Sequence, residues 1–386
     1  MTAAPARPAL PALTSVRFLA ALQVVLYHFV SPAGLPGPLA GVVGAGYTGV
    51  SFFFVLSGFV LAYNYLPAPG LEPLDRARFW VARLARVYPL YLLALAIAGL
   101  VGLHELHTLA RPGRQYAVGP VQVGLAVAML QAWVPGSQEV LDPPAWSLSA
   151  EAFFYLLFPW LGMALVRFRP AALWPAAGLL WLASLAPPGL FLLLGAPAAW
   201  DPVLKFTPLL RLPEFGVGVA AGLLFLRRGP LPGRWATSLT VLAAGLLLLV
   251  LGASSQLPYR LLHNGLLAPL YVLLIVGLGS SGAGARRVLG ARWALLLGEA
   301  SYALYLLHVP LWDVAAVGLR ALARPLAPGL ALTFPLYLPL LLAGAVVAHL
   351  LVEQPARRAL RRRLSPRPAP PARSPAPEPA GPRPLR

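Results

Sequence analysis

The chain contains about ten separate apolar runs, each about 20 residues long, and this repetition limits the folds that are open to it. A helix of that length spans the hydrocarbon core of a bilayer, which is about 30 Å thick. We predict spans at about residues 13–30, 47–66, 85–103, 150–166, 171–194, 208–226, 235–252, 263–279, 293–319 and 330–351. The sequence therefore predicts an all-α fold, a polytopic membrane helix bundle of about ten transmembrane helices.

The composition agrees with a membrane protein and excludes several kinds of covalent link and catalytic site. Hydrophobic residues make up 59% of the chain and charged residues only 11%, which excludes a soluble globular domain. Cysteine is absent, so disulfides, thiolate metal sites and a cysteine nucleophile are excluded. A nucleophile in this chain must be oxygen or nitrogen, and we predict neither a metal site nor a bound cofactor.

The formal net charge of +18 comes from basic residues in the loops between the predicted spans. Such loops set membrane orientation and attract anionic lipid, so we predict membrane lipids as partners and no nucleic acid. With the N-terminus inside, the clusters on the cytoplasmic side are Arg76, Arg78, Arg83 and Arg86, then Arg167 and Arg169, then Arg227, Arg228 and Arg234, then Arg286, Arg287 and Arg292, then Arg357, Arg358, Arg361, Arg362 and Arg363. We therefore predict a multi-pass protein of the cell (inner or plasma) membrane with both termini in the cytoplasm.

A further apolar run, residues 121–134, has only 14 residues and contains Gln122 and Gln131. That length suits a short re-entrant or interfacial segment better than a crossing. A crossing at this point would also move most of the later basic clusters to the outside, against the positive-inside rule. The chain then divides into a cytoplasmic N-terminal arm (1–12), a membrane domain (13–364) and a Pro/Arg-rich cytoplasmic tail (365–386), which we predict to be disordered.

The first predicted span, residues 14–30, carries Arg17 near its start and His28 near its end. A separation of 11 residues puts both side chains on one helix face. They lie roughly 16 Å apart along the axis. Ionisable groups at such depth usually face a bundle interior or a water-filled cavity, which favours a functional role. The alternative is that Arg17 extends to the cytoplasmic headgroups and His28 bonds a neighbouring carbonyl.

Two further stretches are candidates for ligand binding. In the second span Ser57 stands next to Gly58, where the small side chains let another helix or an acyl chain approach; close packing alone is the alternative. Arg83 and Arg86 follow at a spacing that puts two guanidinium groups on one helix face at the cytoplasmic mouth of the third span. Guanidinium groups match phosphate geometry, so the pair predicts a donor clamp. Ordinary positive-inside charge is the alternative.

A third stretch combines Trp146 and Ser147 with Glu151, one helical turn later, at the outer end of the fourth span. A carboxylate that enters the membrane needs a partner. The alternative here is an interfacial aromatic belt with a solvated glutamate.

In this order the motifs resemble the acyltransferase-3 family of integral-membrane O-acyltransferases. The matching features are Arg17 and His28, residues 49–59 (GVSFFFVLSGF), Arg83 and Arg86, residues 146–151 (WSLSAE), residues 297–308 (LGEASYALYLLH) and residues 352–355 (VEQP). The resemblance implies a ten-helix domain that transfers an acyl group, commonly acetyl from acetyl-CoA, to a carbohydrate or glycolipid at the cell surface. Glu299 departs from the family pattern, and its role stays open.

The residues themselves fit such chemistry. His28 and His308 fall at similar depth in the outer half of the membrane, and Glu151 lies at the outer end of its span. Imidazole suits proton abstraction near neutral pH, so we predict His28 as the base or as a transient acyl carrier, with the Glu151 carboxylate beside it to stabilise the imidazolium. Acyl-CoA would enter from the cytoplasm. The predicted binding residues are Arg17, Arg83, Arg86, Ser57, Trp146, Ser147 and His308.

Two other functions compete with acyl transfer. A carrier or flippase would use buried Arg, His and Glu as a proton or substrate pathway, and it would show inverted repeats and broken helices in matching halves of the chain, which the sequence does not indicate. A purely structural membrane protein does not explain three ionisable groups in the outer half. Elsewhere, Arg211 with Glu214 predicts an internal ion pair, and Gly218 with Gly222 predicts a close helix contact. For His308 the alternative role is hydrogen-bonded packing.

Overall fold

The computed structural model describes residues 7–67, 74–108, 118–326 and 333–364. These residues form helices and connecting turns without a β-strand. Ten of the helices are long and apolar enough to cross a membrane: α1 (Pro11–Phe29), α2 (Gly46–Tyr65), α3 (Arg76–Leu103), α4 (Pro143–Val166), α5 (Pro170–Leu193), α6 (Pro208–Arg228), α7 (Gly233–Gly252), α8 (Tyr259–Gly279), α9 (Arg292–Leu319) and α10 (Phe334–Leu360). The predicted all-α membrane bundle is confirmed. The predicted disordered tail, 365–386, lies outside the described residues.

The third and the last helix differ most from their predicted bounds, and the fourth begins at Pro143 instead of about residue 150. The third helix begins at Arg76 instead of about residue 85, because its first turns carry arginines that lower the hydropathy while Phe79 is fully buried. Arg83 and Arg86 therefore lie inside the bundle and not at its edge. The last helix continues to Leu360 through a π-helical segment, His349–Glu353.

The segment predicted not to cross is a short helix, Pro120–Val127, followed by a 3₁₀ turn, Gln131–Trp133. Its 8 residues cover only about 12 Å at 1.5 Å per residue, well short of a bilayer. Gln131 fixes the segment to α3 and α4, because its amide donates to the Tyr91 hydroxyl and the Ala145 carbonyl, both at 3.0 Å.

Helices α2 and α6 pack with their backbones in close contact. A methyl group on Gly58 would collide with the Phe215 carbonyl, and one on Gly218 would collide with the Val55 carbonyl. Gly222 approaches the backbone of Phe59 in the same way. The predicted close contact at Gly218 and Gly222 is confirmed, and Gly58 is its counterpart on the other helix.

Helix α8 is broken after its first turn, and the break is filled by a buried polar network. Its two parts, Tyr259–His263 and Ala268–Gly279, are joined through Gly265 at φ +87°, which glycine adopts without strain. The freed His263 carbonyl accepts a hydrogen bond from Arg211. Arg211 also pairs with Glu214 at 3.0 Å, with both side chains fully buried, so the predicted internal ion pair is confirmed.

The two ends of the bundle are used below as fixed directions. The N-terminal face is the end at which α1 begins, and the far face is the end at which α1 stops. Because successive spans alternate in direction, α2, α4 and α8 begin at the far face, whereas α3 and α9 begin at the N-terminal face.

Candidate active site

A cavity of about 420 Å³ extends from the N-terminal face into the bundle. Its outer part is lined by residues near the start of α1, among them Arg7, and its inner part reaches Tyr305 of α9. Six of the predicted site residues line it: Arg17, Ser57, Arg83, Arg86, Ser147 and Glu151. These six residues come from four separate motifs in the sequence, and Tyr305 adds a fifth, so residues from five motifs line one cavity.

The cavity is rich in positive charge. Four arginines line it against a single carboxylate, that of Glu151. Among the described residues no salt bridge joins Arg17, Arg83 or Arg86 to an acid. Arg83 donates to the Tyr65 hydroxyl at 2.8 Å, but its Nε is buried without a partner. Guanidinium donors that lack a protein acceptor are suited to an anionic ligand.

Glu151 belongs to this cavity. Its Oε1 accepts hydrogen bonds from the Ser57 hydroxyl at 3.0 Å and from the Tyr155 hydroxyl. The sequence predicts Glu151 beside His28, but the structure does not bring the two side chains together. Glu151 points across to Ser57 of α2, while His28 lies one helix away on α1.

His28 is paired with His308. Nδ1 of His28 lies 3.3 Å from Nε2 of His308, and their ring centroids are 4.9 Å apart. The predicted similar depth of the two histidines is confirmed. His308 is fully buried, whereas His28 is exposed.

The hydrogen bonds of this pair assign its tautomers. Nδ1 of His28 lies 2.9 Å from the Val24 carbonyl, and Nδ1 of His308 is bonded to the Tyr305 carbonyl. A carbonyl can only accept, so both Nδ1 atoms carry hydrogen. Nε2 of His308 is then a lone-pair acceptor, and the single Nδ1–H of His28 is shared between it and the nearer Val24 carbonyl. Nε2 of His28 keeps a lone pair and is the nitrogen that can take a proton.

Close packing of α1 on α9 allows the two histidines to meet. A methyl group on Gly298 would collide with the Thr14 carbonyl, so glycine lets the two helices touch near the N-terminal face. Farther along, Phe29 stacks on Trp312 at 4.7 Å and lies edge-on to His308 at 5.9 Å. The two helices therefore stay in contact along their length.

The inner end of the cavity lies close to the histidine pair. Ser147 and Tyr305 both line the cavity, and their hydroxyls are 2.8 Å apart. His308 follows Tyr305 by one helical turn, which is about 4.5 Å along the axis. A molecule that fills the cavity would bring its tip to the neighbourhood of His308 and His28.

Like His28 and His308, Trp146 is a predicted site residue that does not line the cavity. Its side chain is only 4% exposed and packs against Phe54, Phe206 and His263, with ring centroids 5.2 to 6.2 Å away. The indole contributes to packing beneath the broken helix, which explains a large aromatic residue at this point.

Tyr155, Tyr305 and Arg7 line the cavity but were not among the predicted site residues. Tyr155 bonds Glu151 and lines the cavity, and its spacing of four residues from Glu151 was a usable signal. Arg7 lines the cavity from a segment that precedes the first helix, so helical periodicity gave no signal for it. Within the described parts of the chain, no group of three or more His, Asp or Glu side chains is arranged to hold a metal ion.

The fold and these residues define a multi-pass membrane protein with an arginine-lined cavity that ends near a histidine pair. A family profile described as an acyltransferase domain matches residues 10–352. The chain belongs to this acyltransferase-3 family, and it is an O-acyltransferase. Family membership decides against the carrier alternative.

Three relatives illustrate the similarity. The chain is 31% identical to acyltransferase MdmB of Streptomyces mycarofaciens over 319 residues, which cover 78% of each protein. It is 27% identical over 172 residues to O-acetyltransferase OatA of Staphylococcus aureus, which is 42% of this chain and 26% of OatA. It is 36% identical over 81 residues to YrhL of Bacillus subtilis, by designation a candidate peptidoglycan O-acetyltransferase, which is 21% of this chain and 11% of YrhL. No solved structure matches the chain.

Proposed function

We propose that this protein transfers an acyl group, in the simplest case acetyl, from cytoplasmic acyl-CoA to a hydroxyl of a cell-surface or exported carbohydrate or glycolipid. The names of the relatives support the acyl group and the acceptor class, since OatA is an O-acetyltransferase and YrhL is designated for peptidoglycan. The acceptor hydroxyl and the donor would approach the histidine pair from opposite faces of the bundle.

The donor side of the proposal rests on the charge of the cavity. Coenzyme A carries several phosphate charges, and guanidinium groups bind phosphate through paired hydrogen bonds. Arg17, Arg83 and Arg86 line the cavity without a salt bridge among the described residues. The basic loops favour a cytoplasmic position for the N-terminal face, and acyl-CoA is found in that compartment.

The inner part of the cavity suits the rest of the donor. Beyond the arginines the walls include the apolar side chains of Val50, Phe53 and Leu56. The uncharged arm of coenzyme A would lie along these walls, with the thioester near Ser147 and Tyr305. Removal of water from this space would also protect the thioester from hydrolysis.

In the proposed reaction Nε2 of His28 removes the proton from the acceptor hydroxyl as its oxygen attacks the thioester carbonyl. The new C–O bond replaces the C–S bond, and His28 returns the proton to the departing thiolate, which leaves as free CoA. While His28 is charged, its Nδ1–H is shared by the Val24 carbonyl and Nε2 of His308, and both acceptors stabilise the imidazolium. A second route has His28 accept the acyl group itself before passing it to the acceptor.

The observation that carries the proposal is the position of the His28–His308 pair beyond the inner end of an arginine-lined cavity. The test is CoA release by purified protein supplied with acetyl-CoA and carbohydrate acceptors. Loss of a general base usually lowers the rate by about 10²- to 10⁴-fold, so His28→Ala should lose acyl transfer by that factor while it remains folded.

Detergent gel filtration gives the folded fraction, and turnover is expressed per folded molecule. His104→Ala, a histidine outside every motif described above, is the matched control and should keep wild-type turnover. If His28→Ala keeps most of its turnover, the proposed role of this helix is wrong. If wild-type protein releases no CoA with any carbohydrate, the donor or the acceptor class is wrong.

A further inference from the structure

Three tyrosines from three different helices meet at the far face of the bundle. Tyr27 lies at the end of α1, Tyr47 at the start of α2 and Tyr259 at the start of α8. The ring centroids of Tyr27 and Tyr47 are 5.5 Å apart, and those of Tyr47 and Tyr259 are 4.9 Å apart. We name this group the tyrosine cluster. Residues far apart in sequence thus form one continuous aromatic surface.

The hydroxyl groups of the tyrosine cluster have no hydrogen-bond partner within the described ranges. This separates them from the other described tyrosines, each of which has a hydroxyl hydrogen bond: Tyr63, Tyr65, Tyr88, Tyr91, Tyr155, Tyr271, Tyr302, Tyr305 and Tyr337. A partly buried tyrosine usually finds a partner for its hydroxyl. Three open hydroxyls side by side therefore indicate a surface that hydrogen-bonds something outside the chain.

The tyrosine cluster adjoins the reacting imidazole. The ring of Tyr27 is 5.2 Å from the ring of His28, edge to face. Tyr27 is 38% exposed and Tyr259 is 40% exposed, so both present aromatic surface on the side away from the donor cavity. Because Nδ1 of His28 is used by Val24 and His308, Nε2 is the nitrogen left to meet a ligand on this surface.

We propose that the tyrosine cluster is the acceptor subsite and that it binds a pyranose ring. The C–H face of such a ring packs on an aromatic ring, while its hydroxyls bond the three phenol groups, and one further hydroxyl reaches Nε2 of His28. This inference rests on the proposed function for the identity of the acceptor as a carbohydrate. It adds where the acceptor binds and which side chains recognise it.

An interfacial aromatic belt is the competing explanation, and two contacts argue against it. Belt tyrosines place separate rings among the headgroups. Here Tyr47 stacks on His263 at 5.3 Å with an angle of 14° between the rings. His263 is itself buried and held by Arg211. The polar network beneath the broken helix therefore fixes Tyr47 in place and gives the cluster a defined shape.

The first test measures binding without the donor, so it does not depend on turnover. Saturation-transfer NMR would follow methyl β-D-glucopyranoside and its N-acetylglucosamine counterpart on the full-length protein in detergent, with glycerol as a polyol that lacks a ring. We expect transfer to the glycosides and none to glycerol. The triple variant Tyr27→Phe, Tyr47→Phe, Tyr259→Phe keeps the rings and should weaken glycoside binding about tenfold or more, since each lost neutral hydrogen bond weakens binding a few-fold.

The second test uses acyl transfer. The triple variant should raise the KM for the carbohydrate about tenfold, leave the KM for acyl-CoA unchanged and keep kcat at saturating acceptor within about twofold. Tyr88→Phe makes the same chemical change at a tyrosine with a bonded hydroxyl and should have no effect on the carbohydrate KM.

The outcomes separate this subsite from the proposed function. Glycoside binding that the triple variant weakens, without CoA release by wild type, supports the subsite and contradicts the proposed reaction. The subsite is overturned if neither glycoside binds wild-type protein in the millimolar range. It is also overturned if the triple variant behaves like Tyr88→Phe, or loses only thermal stability, as a belt role predicts.

Discussion

His28 and His308 are 280 residues apart in the chain, yet Nδ1 of the first lies 3.3 Å from Nε2 of the second. In many hydrolases and transferases a carboxylate orients the catalytic imidazole. Here a neutral, fully buried imidazole takes that position. Its own Nδ1–H is fixed by the Tyr305 carbonyl. His308 therefore offers a lone pair in a set direction and adds no charge to the membrane interior.

The first prediction concerns His308 as a positioning residue. His308→Ala should lower kcat about tenfold to hundredfold, the usual effect of a misplaced catalytic group, and leave the KM for acyl-CoA unchanged. His308→Asn should recover part of the loss, because the amide oxygen can accept from Nδ1 of His28. The measurement is CoA release per folded molecule.

A double-mutant cycle provides the check on this role. If His308 acts through His28, the double alanine variant should be no slower than His28→Ala alone. Multiplicative losses in the double variant would show that His308 has a function independent of His28. Equal activity of His308→Ala and wild type would show that His308 only packs against its neighbours.

The second prediction concerns the donor clamp. Arg83→Gln with Arg86→Gln should raise the KM for acyl-CoA about tenfold or more, because each guanidinium supplies charge-assisted hydrogen bonds to phosphate. Turnover at saturating donor should change much less, since this is binding shared by ground state and transition state. Steady-state kinetics in acyl-CoA would measure both constants.

Arg167→Gln with Arg169→Gln is the matched control, since it removes two positive charges from a loop outside the cavity. The control pair should leave the donor KM unchanged. A collapse of saturated turnover in the Arg83 and Arg86 variant with unaltered donor affinity would rule out the clamp.

Residue spacing in the sequence was sufficient to predict several contacts within single helices. Arg211 with Glu214, and Gly218 with Gly222, were each predicted from positions on a single helix, where 3.6-residue periodicity fixes the shared face. Six of the predicted site residues line one cavity. Each of these residues is a neighbour within one helix or belongs to a motif that the family resemblance places in order.

Contacts between different helices could not be predicted from the spacing of residues in the sequence. The sequence placed His28 and His308 at similar depth but did not predict that α1 and α9 are adjacent, because that depends on Gly298 and Thr14. It expected Glu151 beside His28, whereas Ser57 and Tyr155 hold that carboxylate. The break in α8 and the tyrosine cluster also arise from tertiary packing, for which one sequence contains no periodic signal.

The third prediction tests the contact between α1 and α9. Gly298→Ala places a methyl group against the Thr14 carbonyl, so the helices must separate. Overpacking of this kind usually costs about 1–3 kcal/mol in free energy of unfolding. Separation would also pull His28 from His308, so turnover per folded molecule should fall about tenfold or more.

Gly178→Ala is the matched control, because a methyl group there meets nothing within 4 Å. Thermal unfolding in detergent and CoA release would be measured for both variants. A Gly298→Ala protein with wild-type stability and turnover would show that the close approach of α1 to α9 is not needed for the histidine pair.

The last prediction concerns the pH dependence of stability, through Asp142 at the far face just before α4. Asp142 is fully buried, and neither carboxylate oxygen has a hydrogen-bond partner among the described residues. Burial, with a smaller contribution from Asp313, raises the pKa of Asp142 well above 3.8. The folded protein therefore holds a proton that the unfolded chain releases near its ordinary pKa.

It follows that the contribution of Asp142 to stability is complete below pH 3.8 and declines as pH rises toward the raised pKa of the folded state. Asp142→Asn stays uncharged at all pH values, so its unfolding temperature should fall less than that of wild type between about pH 5 and about pH 7. Asp75→Asn, at an exposed aspartate beside Arg78, should keep the wild-type pH slope. Parallel slopes for Asp142→Asn and wild type would show that Asp142 is ionised in the folded protein and that a partner stabilises its charge.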